Sequence, residues 1–203
     1  MIAFEVKMLK YGGYGPVSFT MRAGERIGVT GPSGCGKTRL LRALADLDPW
    51  QGEIRLEGYG AESVRASTWR KRVAYLPSES QWWFDCVGSH FTNSPDADDM
   101  HALGLASDVL SWPVSRLSSG EKQRLGVLRT LANNRPAVLL LDEPTAHLDA
   151  ERTRAYESLV TRRCADGMMA VWVTHDPEQL QRVTTRGYRM VAQGVWKEAV
   201  SWA

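Results

Sequence analysis

An α/β fold with a parallel sheet is what this 203-residue sequence predicts, and three observations carry the prediction. Short apolar runs alternate with stretches of helical spacing along most of the chain, the pattern of strand–helix–strand units. The run at 137–142 (Ala-Val-Leu-Leu-Leu-Asp) is apolar at successive positions, as a parallel strand covered on both faces requires. The first residues differ: Ile2, Phe4, Val6 and Met8 alternate with polar neighbours, the mark of a strand with one buried face.

Each element follows in turn. After the first strand a glycine-rich turn (Gly12, Gly13, Gly15, Pro16) leads into 17–21 and a second turn at Ala23-Gly24, giving a small antiparallel sheet built from hairpins. Residues 26–30 form a short buried strand that runs directly into a glycine loop. Leu40, Leu41, Leu44 and Leu47 then recur at helical spacing until Asp48-Pro49. Strands are expected over 52–56 and 72–76. From 78 to 113 strand character gives way to Ser, Asp, Gly and Pro, a short helical and loop insertion. A helix is expected over 119–133, stopped by Pro136, and another from its cap at Asp149 to Arg163. Residues 168–174 form the next buried strand, and 188–192 with 194–196 a terminal hairpin.

Composition excludes several classes. An apolar fraction of 43% supports a core and excludes wholesale disorder. A net charge of +2 with interspersed signs argues against a nucleic acid groove built on bulk charge, so no nucleic acid partner is expected. Arg70-Lys71-Arg72 reads as a solvated helix end rather than a phosphate or lipid contact. Cys35, Cys86 and Cys164 are far apart and form no Cys-x-x-Cys pair, and Cys86 with His90 is too sparse for zinc. Free thiols in a reducing compartment are the simple account. No signal peptide opens the chain, and no run of about 18 apolar residues crosses a bilayer. The eight tryptophans read as core or interface anchors.

The glycine loop carries chemistry. Gly31-Pro-Ser33-Gly34-Cys35-Gly36-Lys37-Thr38 fits G-x-x-x-x-G-K-[ST] at every position, with a strand before it and an amphipathic helix after. Glycines let backbone N–H groups turn toward a β-phosphate, and the helix N-terminus adds its positive dipole end. Lys37 is placed to bridge β- and γ-phosphates, and the Thr38 hydroxyl to ligate Mg²⁺. Cys35 reads as a small filler at a variable position. The expected fold is therefore a P-loop NTPase core with a parallel sheet, an N-terminal antiparallel β subdomain and a short helical subdomain. The core and β subdomain take 1–77 and 135–203, the helical part 78–134.

Four further motifs follow in order. Leu117-Ser118-Ser119-Gly120-Glu121 opens a helix, Leu139 to Pro144 ends a strand in Asp142-Glu143, Ala146-His-Leu-Asp149 follows, and His175 stands just beyond another buried strand. With the phosphate loop, they resemble the ATP-binding domain of the ATP-binding-cassette (ABC) transporter family over nearly the whole chain. A looser resemblance, through Gly-Pro-Ser-Gly-Cys-Gly-Lys and Val171 to Asp176, points to small bacterial single-cassette ATPases of the iron-export type. The resemblance implies an ATPase using ATP and Mg²⁺. Asp142 would hold the metal with Thr38, Glu143 would orient or deprotonate the attacking water, and His175 would sense the γ-phosphate. Ser118, Gly120 and Glu121 belong to the signature that meets ATP held by an opposite cassette, which implies a homodimer or heterodimer. Tyr11 is the candidate for stacking on adenine, with Tyr14 its rival.

Departures from the family pattern are visible. Ser78 stands where a glutamine is usual, with Gln81 three residues later; Ser119 replaces the first signature glycine; and the 40 residues from Ser78 to Ser118 are few for the helical subdomain. The resemblance implies separate transmembrane permease subunits and a cytoplasmic position on the inner face of the membrane. Alternatives are a non-transport ABC ATPase and a nucleotide-gated regulatory module. Substrate and direction of transport are not written in this chain.

Overall fold

A computed structural model describes residues 2–191 and 196–199. Two sheets organise the chain. Strands β1 (Ile2–Tyr11), β2 (Tyr14–Arg22), β4 (Trp50–Leu56) and β5 (Tyr59–Gly60) form an antiparallel sheet in the order β2-β1-β4-β5. The β1–β2 connection is Gly12-Gly13, with φ of 51° and 85°. Two positive φ values are what a tight hairpin with right-handed twist demands, and glycine supplies them without a Cβ clash.

The second sheet holds β3 (Arg26–Thr30), β6 (Val73–Leu76), β7 (Val138–Asp142), β8 (Met169–Val173), β9 (Arg186–Met190) and β10 (Trp196–Ala199), in the order β10-β9-β3-β8-β7-β6. All its pairings are parallel except β10 with β9. Alternation along the central strands explains their uninterrupted apolar sequence. Val138 and Leu140 of β7, with Val171 and Val173 of β8, enter a core shared with the antiparallel sheet and helix α1 (Lys37–Leu44). Leu139, Leu141, Ala170 and Trp172 face the opposite way, into a second core beneath α4 (Ser119–Asn134) and α5 (Ala150–Ala165). Both faces are covered, so neither can be polar.

Three shorter helices complete the chain: α2 (Ala66–Arg72), α3 (Ala97–Ala102) and α6 (Pro177–Val183). Residues 70–72 are the last turn of α2, where Arg72 pairs with Glu57 at 2.9 Å and Arg70 donates to the Asp46 carbonyl. The expected solvated helix end is found there. α6 was not anticipated, although Asp176 caps it by accepting from the Glu178 and Gln179 amides and Pro177 occupies its first turn.

Between β6 and α4 no strand joins either sheet. The segment is made of 3₁₀ turns, α3 and a single bridge, Cys86 to Pro113. His90 organises it: its Nε2 accepts from the Trp83 and Phe84 amides at 2.9 and 3.0 Å, and its Nδ1 lies 3.1 Å from the Cys86 carbonyl. Both ring nitrogens are used by backbone. α4 opens on a capping box, with the Ser118 hydroxyl accepting from the Glu121 amide and the Glu121 carboxylate accepting from the Ser118 amide. It ends at Arg135, in the left-handed region at φ 45°, just before Pro136. The terminal hairpin pairs Trp196 with Met190, while the link at 192–195 lies outside the described residues.

Candidate nucleotide-binding site

Strand ends build the site. β3, β8 and β7 are neighbours, with Val29 opposite Val173 and Asp142 opposite Val173 in register. Their carboxyl ends therefore place the loop after Thr30, the Asp142-Glu143 pair and the 174–176 turn side by side, where ligands sit in open α/β sheets. A cleft of about 410 Å³ opens there, lined by Tyr14, Ser33, Gly34, Gly36, Lys37, Thr38, Arg39, Asp142, Glu143 and His175. Residues separated by well over a hundred positions in sequence thus share one cavity.

The loop geometry follows from its glycines. Gly31, Gly34 and Gly36 have φ of 153°, 76° and 99°, and a Cβ on Gly31 would lie 2.6 Å from the Met190 carbonyl oxygen. Lys37, 7% exposed, donates from Nζ to the Gly31 and Pro32 carbonyls at 2.9 and 3.0 Å. Its ammonium is thereby held over the loop, and α1 begins at the same residue. Cys35 is turned away: its side chain is buried in the core under the loop and does not line the cleft.

Asp142 ends β7 and is 5% exposed. Tyr75, on the adjacent strand β6, donates its hydroxyl to Asp142 Oδ2 at 3.0 Å. Burial, then the charge of Asp142, pushes the Tyr75 phenol well above its ordinary range, so it stays a donor. Glu143 leaves the strand with φ 47°, a left-handed backbone that a glutamate adopts only under constraint. Its amide still donates to the Val173 carbonyl at 3.0 Å, and Gln123 reaches its carbonyl from α4. Burial raises the affinity of the Glu143 carboxyl for a proton, and the nearby His175 only partly opposes that. His175 Nε2 stands 3.3 Å from Glu143 Oε1, close enough for an ion pair but outside hydrogen-bond geometry. A carboxylate with raised proton affinity beside a cleft is what a general base requires.

The two tyrosines occupy different places. Tyr14 lines the cleft, donates to the Gly34 carbonyl at 3.1 Å, and fills the space beside Gly36, where a Cβ would meet the ring at 3.0 Å. Tyr11, the first candidate for adenine, is 2% exposed and lies beneath it, the rings 5.8 Å apart and 20° from parallel. The tight hairpin is the cause: it sets Tyr11 opposite Tyr14 with only two residues between them.

Ser118, Gly120 and Glu121 do not line the cleft. They stand at the exposed start of α4, where a Cβ on Gly120 would lie 3.1 Å from the His147 carbonyl. Burial raises the Glu121 carboxyl, but hydrogen bonds from the Ser118 amide and hydroxyl outweigh it and leave the group below the usual carboxylate range. Neither Ser78 nor Gln81 lines the cleft either. The loop after β6 turns instead onto α4, where Arg129 donates to the Gln81 carbonyl at 2.9 Å and lies over the rings of Trp82 and Trp83.

Sequence reasoning missed a buried polar chain behind the site. Thr145 exchanges hydrogen bonds with the Gln179 amide, Gln179 donates to Glu157 at 3.0 Å, and Arg182 pairs with Glu157 at 2.9 Å. It ties the turn after Glu143 to the helix after His175. The helix-start signal at Asp176-Pro177 could have placed α6; the contacts themselves depend on tertiary register.

This loop, strand ends and cleft define a P-loop nucleotide-hydrolase site on an α/β core. The model of the family described as "ABC transporter" matches residues 14–146. The probable iron export ATP-binding protein FetA of Escherichia coli (strain K12) is 33% identical over 177 residues, covering 81% of this chain and 78% of that protein. The cytochrome c biogenesis ATP-binding export protein CcmA of Rhizobium meliloti (strain 1021) is 34% identical over 180 residues, covering 81% and 84%. The solved "Structure of ATP binding subunit of ABC transporter" has the same fold, with a TM-score of 0.87 at 21% identity over 97% of this chain and 89% of that one. The chain belongs to the ABC transporter family, as one of its ATP-binding, ATP-hydrolysing subunits. No helix among the described residues is long and apolar enough to cross a membrane.

Proposed function

We propose that the chain binds ATP with Mg²⁺ in this cleft and hydrolyses it as one half of a head-to-tail pair of cassettes, driving separate transmembrane permease subunits from the inner face of the membrane. One observation carries the reading: Lys37, Thr38, Asp142, Glu143 and His175 converge on one cleft, while Ser118 and Gly120 of the same chain lie outside it. A second copy is the natural source of the missing wall, because the start of α4 offers unpaired backbone N–H groups and a positive dipole end for a γ-phosphate.

Each role follows from placement. Backbone amides of 33–36 and the start of α1 cradle the phosphates, and Lys37 exchanges loop carbonyls for phosphate oxygens at little cost in reorganisation. Tyr14, half-buried and lining the cleft where Tyr11 does not, is the residue set to stack on adenine. Glu143 takes the proton of the attacking water, and His175 holds that carboxylate and the γ-phosphate end in register. The donor set fits Mg²⁺, since Thr38 and Asp142 offer a hydroxyl and a buried carboxylate, hard oxygen ligands, on the same cleft. Bound there, the ion would neutralise charge developing on the phosphate oxygens. Retention of Glu143 and His175 in contact counts against a module that only binds nucleotide.

Co-purification tests the assembly. The chain expressed with a polytopic membrane protein encoded beside it should be retained in detergent-solubilised membranes with that protein, and its ATPase rate should depend on the complex. A partner that is a soluble nucleic-acid enzyme would sink the transport reading and leave the ATPase site standing.

A further inference from the structure

Tyr75 is outside every motif that identifies this chain, yet its hydroxyl is the one hydrogen-bond donor on the Asp142 carboxylate among the described residues. The two side chains come from adjacent parallel strands, with Tyr75 opposite Leu140 in register, so the long phenol reaches two residues further along β7 to Oδ2. Its ring is half-buried against the first core, which limits its freedom to leave. Among the described residues Asp142 Oδ1 has no such partner. Three residues beyond Tyr75 the chain has Ser78 rather than an amide, and neither Ser78 nor Gln81 reaches the cleft.

We propose that Tyr75 is the positioning residue of the metal site: its hydroxyl fixes the rotamer of Asp142 by holding Oδ2, presents Oδ1 to the cation, and provides the contact between strand β6 and the metal end of the cleft that the loop after it does not make. The physical reason is orientational. A carboxylate at a strand end turns about χ2 with little hindrance, and a broad torsion of this kind is narrowed only by a partner. Partners of metal ligands act in this way, and their loss typically weakens metal binding by about tenfold to a hundredfold. Phenol donation also satisfies a carboxylate oxygen that burial takes out of water. The inference rests on the nucleotide-site reading above.

Mn²⁺ replaces Mg²⁺ as a probe, with its affinity read by electron paramagnetic resonance in the presence of a non-hydrolysable ATP analogue. Tyr75→Phe should weaken Mn²⁺ binding about tenfold. Binding of the analogue alone in EDTA should stay within about twofold of wild type, a split that mere loosening of the fold would not give. In an Asp142→Asn background Tyr75→Phe should add nothing further, since the two act as one unit. Unchanged Mn²⁺ affinity in a folded Tyr75→Phe protein overturns the inference, as does an equal loss in the Asp142→Asn background. Wild type that binds Mn²⁺ and is weakened by Asp142→Asn alone removes only the role of Tyr75. Wild type that binds no Mn²⁺–nucleotide overturns the nucleotide site and this inference together.

Discussion

Gly126, in the middle of α4, is buried against the loop after β6. A Cβ at this position would lie 2.2 Å from the Ser80 hydroxyl, 3.1 Å from Ser80 Cβ and 3.5 Å from Leu76 Cδ1. Two terms oppose each other in Gly126→Ala. Relief of backbone entropy in a helix interior favours alanine by about 1 kcal/mol. Overpacking costs roughly 1–3 kcal/mol. The hydroxyl can rotate away, but the Cβ of Ser80 is fixed to its backbone, so the loop must move. We expect net destabilisation of about 1 kcal/mol, or roughly 2–4 °C in Tm for a chain of this size. Urea and thermal unfolding of Gly126→Ala, Ser80→Gly and the double variant measure it. The pair should couple by about 1 kcal/mol, with Ser80→Gly relieving the clash. A Gly126→Ala protein more stable than wild type by the full helix-propensity gain refutes the contact, as does additivity within about 0.5 kcal/mol.

Other outcomes follow from the site. Lys37→Ala should abolish detectable nucleotide binding while leaving the unfolding midpoint nearly unchanged. Ser118→Ala removes the cap of α4 and should cost about 1 kcal/mol in chemical unfolding, with ATPase falling further than that loss of stability explains. Gln179→Leu strands the Thr145 hydroxyl and removes a donor from Glu157; about 1–3 kcal/mol of stability should go, and kcat should fall with KM for ATP held. The raised proton affinity of Glu143 sets two signs. The acid limb of the kcat/KM profile, which reports the free enzyme, should lie above the ordinary glutamate range. Because its folded-state pKa exceeds the unfolded value, the ionised group opposes folding above that pKa, and Glu143→Gln should raise Tm at neutral pH.

Local chemistry was legible in the sequence; contacts set by register were not. The phosphate loop, the doubly buried strands β7 and β8, and the helix starts at Ser118 and Asp149 are decided by residues near one another in the chain, so spacing reveals them; the cap at Asp176 is equally local but went unread. β7 needed no partner to be recognised, since only a strand covered on both faces can carry Val-Leu-Leu-Leu. The order of Tyr11 and Tyr14 was different. Both are tyrosines beside a glycine turn, and only the two-residue hairpin decides that Tyr14 faces the cleft while Tyr11 goes beneath. The Tyr75–Asp142 bond joins residues 67 apart, and the Thr145–Gln179–Glu157–Arg182 chain joins a turn to two helices. Neither has a local signature. The missing amide at Ser78 was visible as an anomaly; the turn of that loop onto α4 through Arg129 and Ser80 was not, because glycine in a helix does not announce what packs against it.

The central claim is that this cleft hydrolyses ATP with Glu143 as its base. Phosphate release from Mg-ATP by wild type and Glu143→Gln, with nucleotide binding measured on the same preparations, tests it most directly. Turnover that falls by about 10²–10⁴-fold in Glu143→Gln, with binding retained, is the predicted result. Equal rates in the two proteins, at equal occupancy, would contradict it.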